Sequence, residues 1–177
     1  LGGFVSAERL KNKASGVHDT VYARALVLTD GRAKVAVVSV ELCFLPRNLC
    51  EAVFQRVAPL GFAPGTVFLA ATHTHSAADP LCLHSGMTGF TGRLPQYDPR
   101  LTEWFTDRIS QSIRDAVAKL RPARVGGGQM QGLHMNRNRR GEKLTDDEMS
   151  AVRVDDDGGK PIAALFCYAA HPTYYGG

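Results

Sequence analysis

The sequence predicts an α/β fold in which helices pack on a mixed, largely parallel β-sheet. Strand-like and helix-like patterns alternate along the chain. Two runs, residues 66–70 and 161–170, are almost continuously apolar, which is typical of strands covered on both faces. Residues 98–120 have apolar side chains at helical spacing, so this segment is expected to be a helix that packs on the sheet.

The first half of the chain contains the clearest elements. Residues 21–29 and 35–40 flank an Asp30-Gly31 turn, which predicts an antiparallel hairpin. Pro46 begins a predicted helix that extends to about residue 57, and strand 66–70 follows it. This strand–helix–strand order favours a right-handed crossover and a parallel pair.

The second half is predicted from caps and turns. Asp98 is the expected N-cap of the 98–120 helix, and residues 124–127, 149–154 and 161–170 are expected strands. The buried faces of the two helices are expected to consist of Leu49, Val53, Phe54 and Val57, and of Leu101, Trp104, Phe105, Ile109, Ile113, Ala116 and Leu120. Residues 77–97 lack periodicity and are expected to form a long loop with a binding role.

A His-x-His motif follows the 66–70 strand. Residues 71–76 are Ala-Thr-His-Thr-His-Ser, so His73 and His75 come directly after a predicted buried strand. At a strand exit, histidines spaced in this way point to the same side, and neutral imidazole is a common ligand of zinc. The motif therefore predicts a metal site.

A second histidine occupies an equivalent position. The apolar run 161–170 leads directly into His171, and Pro172 ends the strand because it has no N–H donor. If the two strands are parallel neighbours, His73 and His171 lie at the same edge of the sheet, where α/β proteins place their ligand sites. Glu41 ends another strand at that edge and is a candidate partner of a metal ligand.

Composition places the chain among ordinary globular proteins. Hydrophobic residues make up 44% and charged residues 21% of its 177 residues, which argues against a disordered chain. The net charge of +4 comes partly from residues 137–143, where no aromatic residue is available for base stacking, so this cluster is interpreted as a solvated loop. The four cysteines form no Cys-x-x-Cys motif, and no apolar run approaches the ~20 residues of a transmembrane helix.

Five motifs occur in an order that is known from one protein family. They are Gly16-Val17-His18-Asp19 with residues 22–28, the run 35–41 that ends at Glu41, Thr72-His73-Thr74-His75-Ser76, Asn136-Arg137, and His171-Pro172-Thr173. In this order they resemble the N-terminal catalytic part of the neutral/alkaline non-lysosomal ceramidases. The resemblance implies that residues 1–177 are a fragment of a zinc hydrolase catalytic domain. A start at Leu1 and an end six residues after His171 fit that expectation.

The resemblance also implies residue roles. His73 and His171 match zinc ligands, so their imidazole nitrogens are expected within about 3–4 Å of each other. His75 matches a histidine that acts at the reaction centre, and Arg137 matches an arginine of the active-site wall. The family's other ligands and its catalytic serine segment lie downstream of the motif that matches His171-Pro172-Thr173, beyond residue 177, so the fragment alone is expected to be inactive and to bind zinc weakly.

The implied substrate is a lipid-like N-acyl amide. The chain departs from the family pattern beside three motifs, at Ala77-Ala78, Asn138-Arg139 and Tyr174-Tyr175, where the substrate entrance is expected. These departures leave open whether the substrate is ceramide or another N-acyl amide. The resemblance is compatible with a secreted or cell-envelope protein but assigns neither a location nor an oligomeric state.

Two other interpretations stay open. A metallo-β-lactamase-like hydrolase also places Thr-His-x-His at a strand end, but it requires an Asp-His pair where this chain has Ala77-Ala78, and Asp79 comes too late. A non-catalytic binding or structural domain with degenerate histidines would contain the same motifs and bind no metal. Metal content therefore distinguishes the second alternative from a hydrolase.

Overall fold

The computed structural model describes residues 16–86 and 96–171. These residues form two compact units, one built from residues 16–86 and 96–120 and the other from residues 121–171. Each unit contains one three-stranded sheet. Within the described ranges, no helix has both the length and the apolar character needed to cross a bilayer. Parts of the predicted 77–97 loop and the residues after His171 lie outside these ranges.

The sheet of the first unit has the strand order β1-β2-β3. Strands β1 (Ala23–Thr29) and β2 (Lys34–Val40) form the predicted antiparallel hairpin. In the turn between them, the Asp30 carboxylate accepts hydrogen bonds from two backbone N–H groups, and Gly31 has a φ of 86°, which glycine adopts without strain. Strand β3 (Val67–Ala71) pairs in parallel with β2, as the crossover order predicted.

Two helices complete the first unit. Helix α1 (Arg47–Val57) connects β2 to β3 and packs against α2 (Pro99–Ala118), which contacts β1 and β2. The core that they share with the sheet contains side chains that are at most 6% exposed, namely Val27, Ala36, Val38, Val40, Leu42, Leu49, Val53, Val57, Leu83, Ile109 and Ile113. This packing confirms that α2 covers the sheet with its Ile109 and Ile113 face.

Three residues of the predicted buried faces are exposed instead. Phe54, Trp104 and Leu120 are 41%, 51% and 38% exposed. Successive helical residues differ by about 100° in direction, so Phe54 turns outward because its neighbour Val53 points into the core. Trp104 likewise lies on the outer side of α2, where its ring contacts the Arg108 guanidinium, 5.5 Å from the ring centre.

The second unit is an antiparallel sheet with the order β4-β5-β6. Its strands are β4 (Arg124–Met130), β5 (Met149–Asp155) and β6 (Pro161–Tyr168). The turn from β5 to β6 is held by Asp156, whose carboxylate accepts backbone N–H groups of Gly158 and Lys160. Phe166 on β6 is 63% exposed within the described unit, and the three glycines of β4 add no side chains that could cover the sheet.

The α/β class is confirmed, whereas the largely parallel sheet is not. Among the strand pairs of the described residues, β2–β3 is parallel, and β1–β2, β4–β5 and β5–β6 are antiparallel. The condition under which His73 and His171 would share a sheet edge, that strands 66–70 and 161–170 are parallel neighbours, is not met in the described residues, because β3 and β6 belong to different sheets. Short turns such as those after β1 and β5 can join only antiparallel strands. The assignment of residues 1–177 to one catalytic domain stays a prediction.

The hydrogen bonds of Asp98 at the N-terminus of α2 predict how the stability of the fold depends on pH. The Arg100 guanidinium and the Arg100 backbone N–H both donate to the Asp98 carboxylate and lower the pKa of Asp98 to about 2. Its ordinary pKa is 3.8, so its charge stabilises the fold fully above that pH, and this contribution is lost as the pH falls towards 2. Asn caps helices as well as Asp does but cannot titrate.

We therefore expect the unfolding temperature of Asp98→Asn to depend less on pH than that of the wild type between about pH 5 and pH 2. Thermal unfolding followed by circular dichroism across this range measures the difference. Two parallel pH profiles would show that the Asp98 carboxylate does not stabilise the folded state in the expected way.

Candidate metal centre

The first predicted ligand, His73, is positioned by the continuation of the β2–β3 pairing. Val40 is the partner of Ala71 in the parallel register. Beyond that pair, the Thr72 N–H donates to the Val40 carbonyl at 2.9 Å, and the His73 N–H donates to the Leu42 carbonyl at 3.0 Å. These bonds fix the backbone of His73 against the chain that follows β2. Leu42, which is part of that chain, is fully buried.

The backbone conformation of His73 is strained. Its φ of 62° lies in the left-handed region, which a residue with a Cβ rarely occupies. Such a conformation costs on the order of 1–3 kcal/mol and persists only where neighbouring contacts enforce it. The hydrogen bond from His73 N–H to Leu42 is one such contact. Strain of this kind concentrates at functional sites.

The imidazole of His73 has a defined tautomer. Its Nδ1 atom lies 2.6 Å from the backbone carbonyl oxygen of Cys43. A carbonyl oxygen can only accept a hydrogen bond, so in the neutral ring Nδ1 carries the proton and Nε2 keeps its lone pair. Metal-binding histidines are commonly held in this way, with one ring nitrogen donating to a carbonyl while the other binds the ion. His73 thus has the form that a zinc ligand requires.

His75 and Cys43 lie beside His73. The rings of His73 and His75 meet edge to face, with their centres 5.0 Å apart, and both residues are half-buried. One ligand atom from each of Cys43, His73 and His75 lies within 4.8 Å of the other two. Nitrogen and sulfur donors in a group of this size fit a borderline-soft divalent ion such as zinc.

Cys43 was not predicted as a member of this group. It belongs to no Cys-x-x-Cys motif, and only the register of β2 and β3 indicates that it lies close to His73. Because the strands are parallel, residues that follow Val40 and residues that follow Ala71 emerge at the same end of the sheet. That rule could have predicted the proximity of Cys43 to His73 once the pairing of the two strands was assumed.

The position of the Cys43 thiol argues against a role as the partner ligand of His73. Its sulfur lies 3.5 Å from Nδ1, the nitrogen already bonded to the Cys43 carbonyl. Burial and the negative charge of Asp79 raise the pKa of the thiol, which favours the neutral form over the thiolate that binds metals. Binding through Nε2 of His73 keeps the short hydrogen bond intact.

The other predicted site residues belong to the second unit. Arg137 is exposed in the segment between β4 and β5, and His171 is exposed after the end of β6. The expected approach of His73 to His171 stays a prediction, as do the roles of all four predicted site residues. Glu41 accepts hydrogen bonds from the Tyr22 N–H and the Arg24 guanidinium, so it secures the entry to β1.

Sequence comparison assigns the family. The chain matches the family model described as neutral/alkaline non-lysosomal ceramidase, N-terminal, over residues 3–175. The chain belongs to this ceramidase family. The match confirms the resemblance indicated by the five motifs, and it covers both histidine motifs and the Asn136-Arg137 pair.

Individual relatives agree with this assignment. The neutral ceramidase of Pseudomonas aeruginosa is 25% identical over 97% of this chain, and neutral ceramidase A of Dictyostelium discoideum is 27% identical over 89%. This chain spans 28% and 24% of their respective lengths. The crystal structure of the Pseudomonas aeruginosa neutral ceramidase matches with a TM-score of 0.75 at 24% identity, over 96% of this chain and 29% of that one, which shows a shared fold.

Replacing Cys43 distinguishes the two candidate ligand sets. Cys43→Ser keeps the backbone carbonyl that holds His73, so we expect the affinity of the full-length protein for Zn²⁺ to stay within about twofold of the wild type. His73→Ala removes a ligand and should lower that affinity by more than about 100-fold. Isothermal titration with Zn²⁺ measures both values. A sulfur-to-metal charge-transfer band in the Co²⁺-loaded protein that disappears in Cys43→Ser would instead identify the thiolate as a ligand.

Proposed function

We propose that the full-length protein is a zinc-dependent hydrolase of N-acyl amide bonds with a ceramidase-like substrate. The observation that carries this proposal is the fixed tautomer of His73, within a chain that belongs to the ceramidase family. His73 and His171 would hold the ion, together with ligands from outside residues 1–177. A zinc ion in such a site supplies the Lewis acidity that amide hydrolysis at neutral pH requires.

His73 contributes a preorganised nitrogen. The hydrogen bond from Nδ1 to the Cys43 carbonyl prevents the ring from rotating, and the backbone bond to Leu42 holds the residue that bears it. A ligand that is already oriented loses little conformational entropy when the ion binds. These contacts support His73 as a rigidly held ligand.

His75 would act on charge at the reaction centre. Its ring lies next to that of His73 in a half-buried position, close enough to share the environment of the ion. Imidazole changes its protonation state near neutral pH, so His75 can stabilise a developing negative charge or transfer a proton to the leaving amine. It does not have to bind the metal for either role.

Arg137 would orient the substrate. Its guanidinium keeps its positive charge at any physiological pH and offers several N–H donors in a planar arrangement. Donors of this kind stabilise a substrate oxygen on which negative charge develops during acyl transfer. The exposed position of Arg137 within the β4–β5 connection leaves the side chain accessible to a substrate.

The structure weakens the metallo-β-lactamase-like alternative. In that alternative, an aspartate shortly after the second histidine has to reach the metal. Asp79 is 7% exposed, and its side chain accepts a hydrogen bond from the Leu81 N–H at the start of the short 3-10 helix Pro80–Leu83. Asp79 therefore caps a helix, which argues against the metal-ligand role that the alternative requires.

Hydrolysis by ligand variants tests the proposal. In the full-length protein, we expect His73→Ala and His171→Ala each to lower kcat/KM for N-acyl amide hydrolysis by about 10³-fold or more, because the Lewis acid contributes several kcal/mol to the transition state. His84→Ala is the control, since His84 lies in neither motif and bonds only locally to the Gly86 N–H among the contacts described for it. Metal analysis of each purified variant accompanies the kinetics.

Undiminished hydrolysis in both ligand variants would refute the zinc mechanism. Wild-type protein without bound metal would instead favour a non-catalytic domain with degenerate histidines. A comparison of ceramide with short N-acyl amides defines the substrate. Metal-dependent cleavage of the short amides alone would retain the mechanism and exclude ceramide.

A further inference from the structure

The segment around Arg137 lies between β4 and β5 and has no helix or strand geometry of its own. A side chain nevertheless connects it to the end of β6. The Nδ2 group of Asn136 donates hydrogen bonds to the backbone carbonyl of Ala169, at 2.9 Å, and to that of Asp146. Asn136 directly precedes Arg137, and Ala169 lies two residues before His171. One amide group therefore connects the two backbone stretches that carry these residues.

A second set of hydrogen bonds holds the same segment. The Tyr168 hydroxyl accepts the Met135 N–H at 3.1 Å and donates to the Asp147 carboxylate at 2.8 Å. That carboxylate, whose side chain is only 16% exposed, also accepts the backbone N–H of His134 at 2.7 Å. Burial and the bond to Asp147 raise the pKa of Tyr168, so its hydroxyl remains a donor. Residues 134 and 135 are thus fixed immediately before Asn136.

We propose that Asn136 is a positioning residue for hydrolysis, because its amide sets the separation between the Arg137 backbone and the His171 backbone. The proposal rests on the function proposed above, which gives those two residues their roles. Asparagine suits this position because its amide nitrogen has two hydrogens, one for each carbonyl. A displacement of about 1 Å between catalytic groups can lower a rate by about 100-fold, so a fixed separation affects turnover directly.

Asn136→Asp is the sharpest variant. It keeps the shape of the side chain and replaces the two donor hydrogens with a charged oxygen that faces carbonyl oxygens. In the full-length protein we expect kcat for N-acyl amide hydrolysis to fall by about 100-fold while KM changes by less than about threefold. The affinity for Zn²⁺ should fall by about tenfold because the segment that carries His171 shifts.

Gln129→Glu is the matched control. The Gln129 amide donates to the Glu148 carboxylate and the Ser150 hydroxyl, and its described bonds do not reach β6. The same change from amide to carboxylate at this position should leave kcat and zinc affinity within about twofold of the wild type. Equal losses in the two variants would show that this unit is merely sensitive to added charge, and would overturn the proposal.

Combination with Arg137→Ala separates positioning from general destabilisation. At saturating Zn²⁺, the part of the Asn136 effect that acts through Arg137 disappears once the Arg137 side chain is removed. Adding Asn136→Asp to Arg137→Ala should therefore lower kcat by much less than Asn136→Asp lowers it in the wild type. Additive losses in the double variant, or wild-type kcat and zinc affinity in Asn136→Asp, would overturn the proposal.

Tyr168→Phe decides the question if Asn136→Asp does not fold. It deletes only the hydroxyl group that forms the second set of hydrogen bonds. We expect this variant to lower kcat by about tenfold. A Tyr168→Phe variant with wild-type kcat and zinc affinity would overturn the proposal. Wild-type protein that binds Zn²⁺ but hydrolyses no N-acyl amide would refute only the proposed function, because zinc affinity still compares the Asn136 and Gln129 variants. Wild-type protein that neither binds Zn²⁺ nor hydrolyses an N-acyl amide would overturn both the proposed function and the role of Asn136.

Discussion

The parallel pairing of β2 with β3 is the constraint on which the candidate metal centre depends. Its register aligns Val40 with Ala71, so the segments that follow these residues leave the sheet together. Two further backbone hydrogen bonds, to the carbonyls of Val40 and Leu42, extend the pairing as far as His73. This extension brings the Cys43 carbonyl within reach of the His73 ring. Backbone geometry thus determines the orientation of the imidazole.

The strained conformation of His73 follows from the same pairing. A φ of 62° is unfavourable for histidine in isolation, yet two hydrogen bonds to the chain after β2 enforce it, one from the backbone and one from the ring. The adjoining Leu42 is fully buried, so this chain cannot move away without opening the core. The stability of the core therefore compensates for the strain at the site, which keeps the histidine in one orientation.

Local rules in the sequence predicted much of the first unit. The Asp30-Gly31 hairpin, the β2–α1–β3 crossover and the Asp98 cap depend on residues close together in the chain, and all three are observed. The division into two sheets was missed because pairing between distant strands has no local signature. The contact of Asn136 with Ala169, across 33 residues, likewise follows no pattern that the sequence displays. Short-range chemistry was predictable here, and long-range pairing was not.

The two strand exits that lead to the proposed ligands are supported in different ways. At the end of β3, backbone carbonyls of the chain that follows β2 hold His73, and almost any side chain at position 43 preserves that support. Strand β6 is paired with β5 in an antiparallel sheet, so within the described residues no parallel neighbour extends beyond its end. Side chains such as Asn136 and Tyr168 provide the hydrogen bonds there instead. Support from side chains is lost by single substitutions, so the end of β6 should be the more sensitive of the two strand exits to mutation.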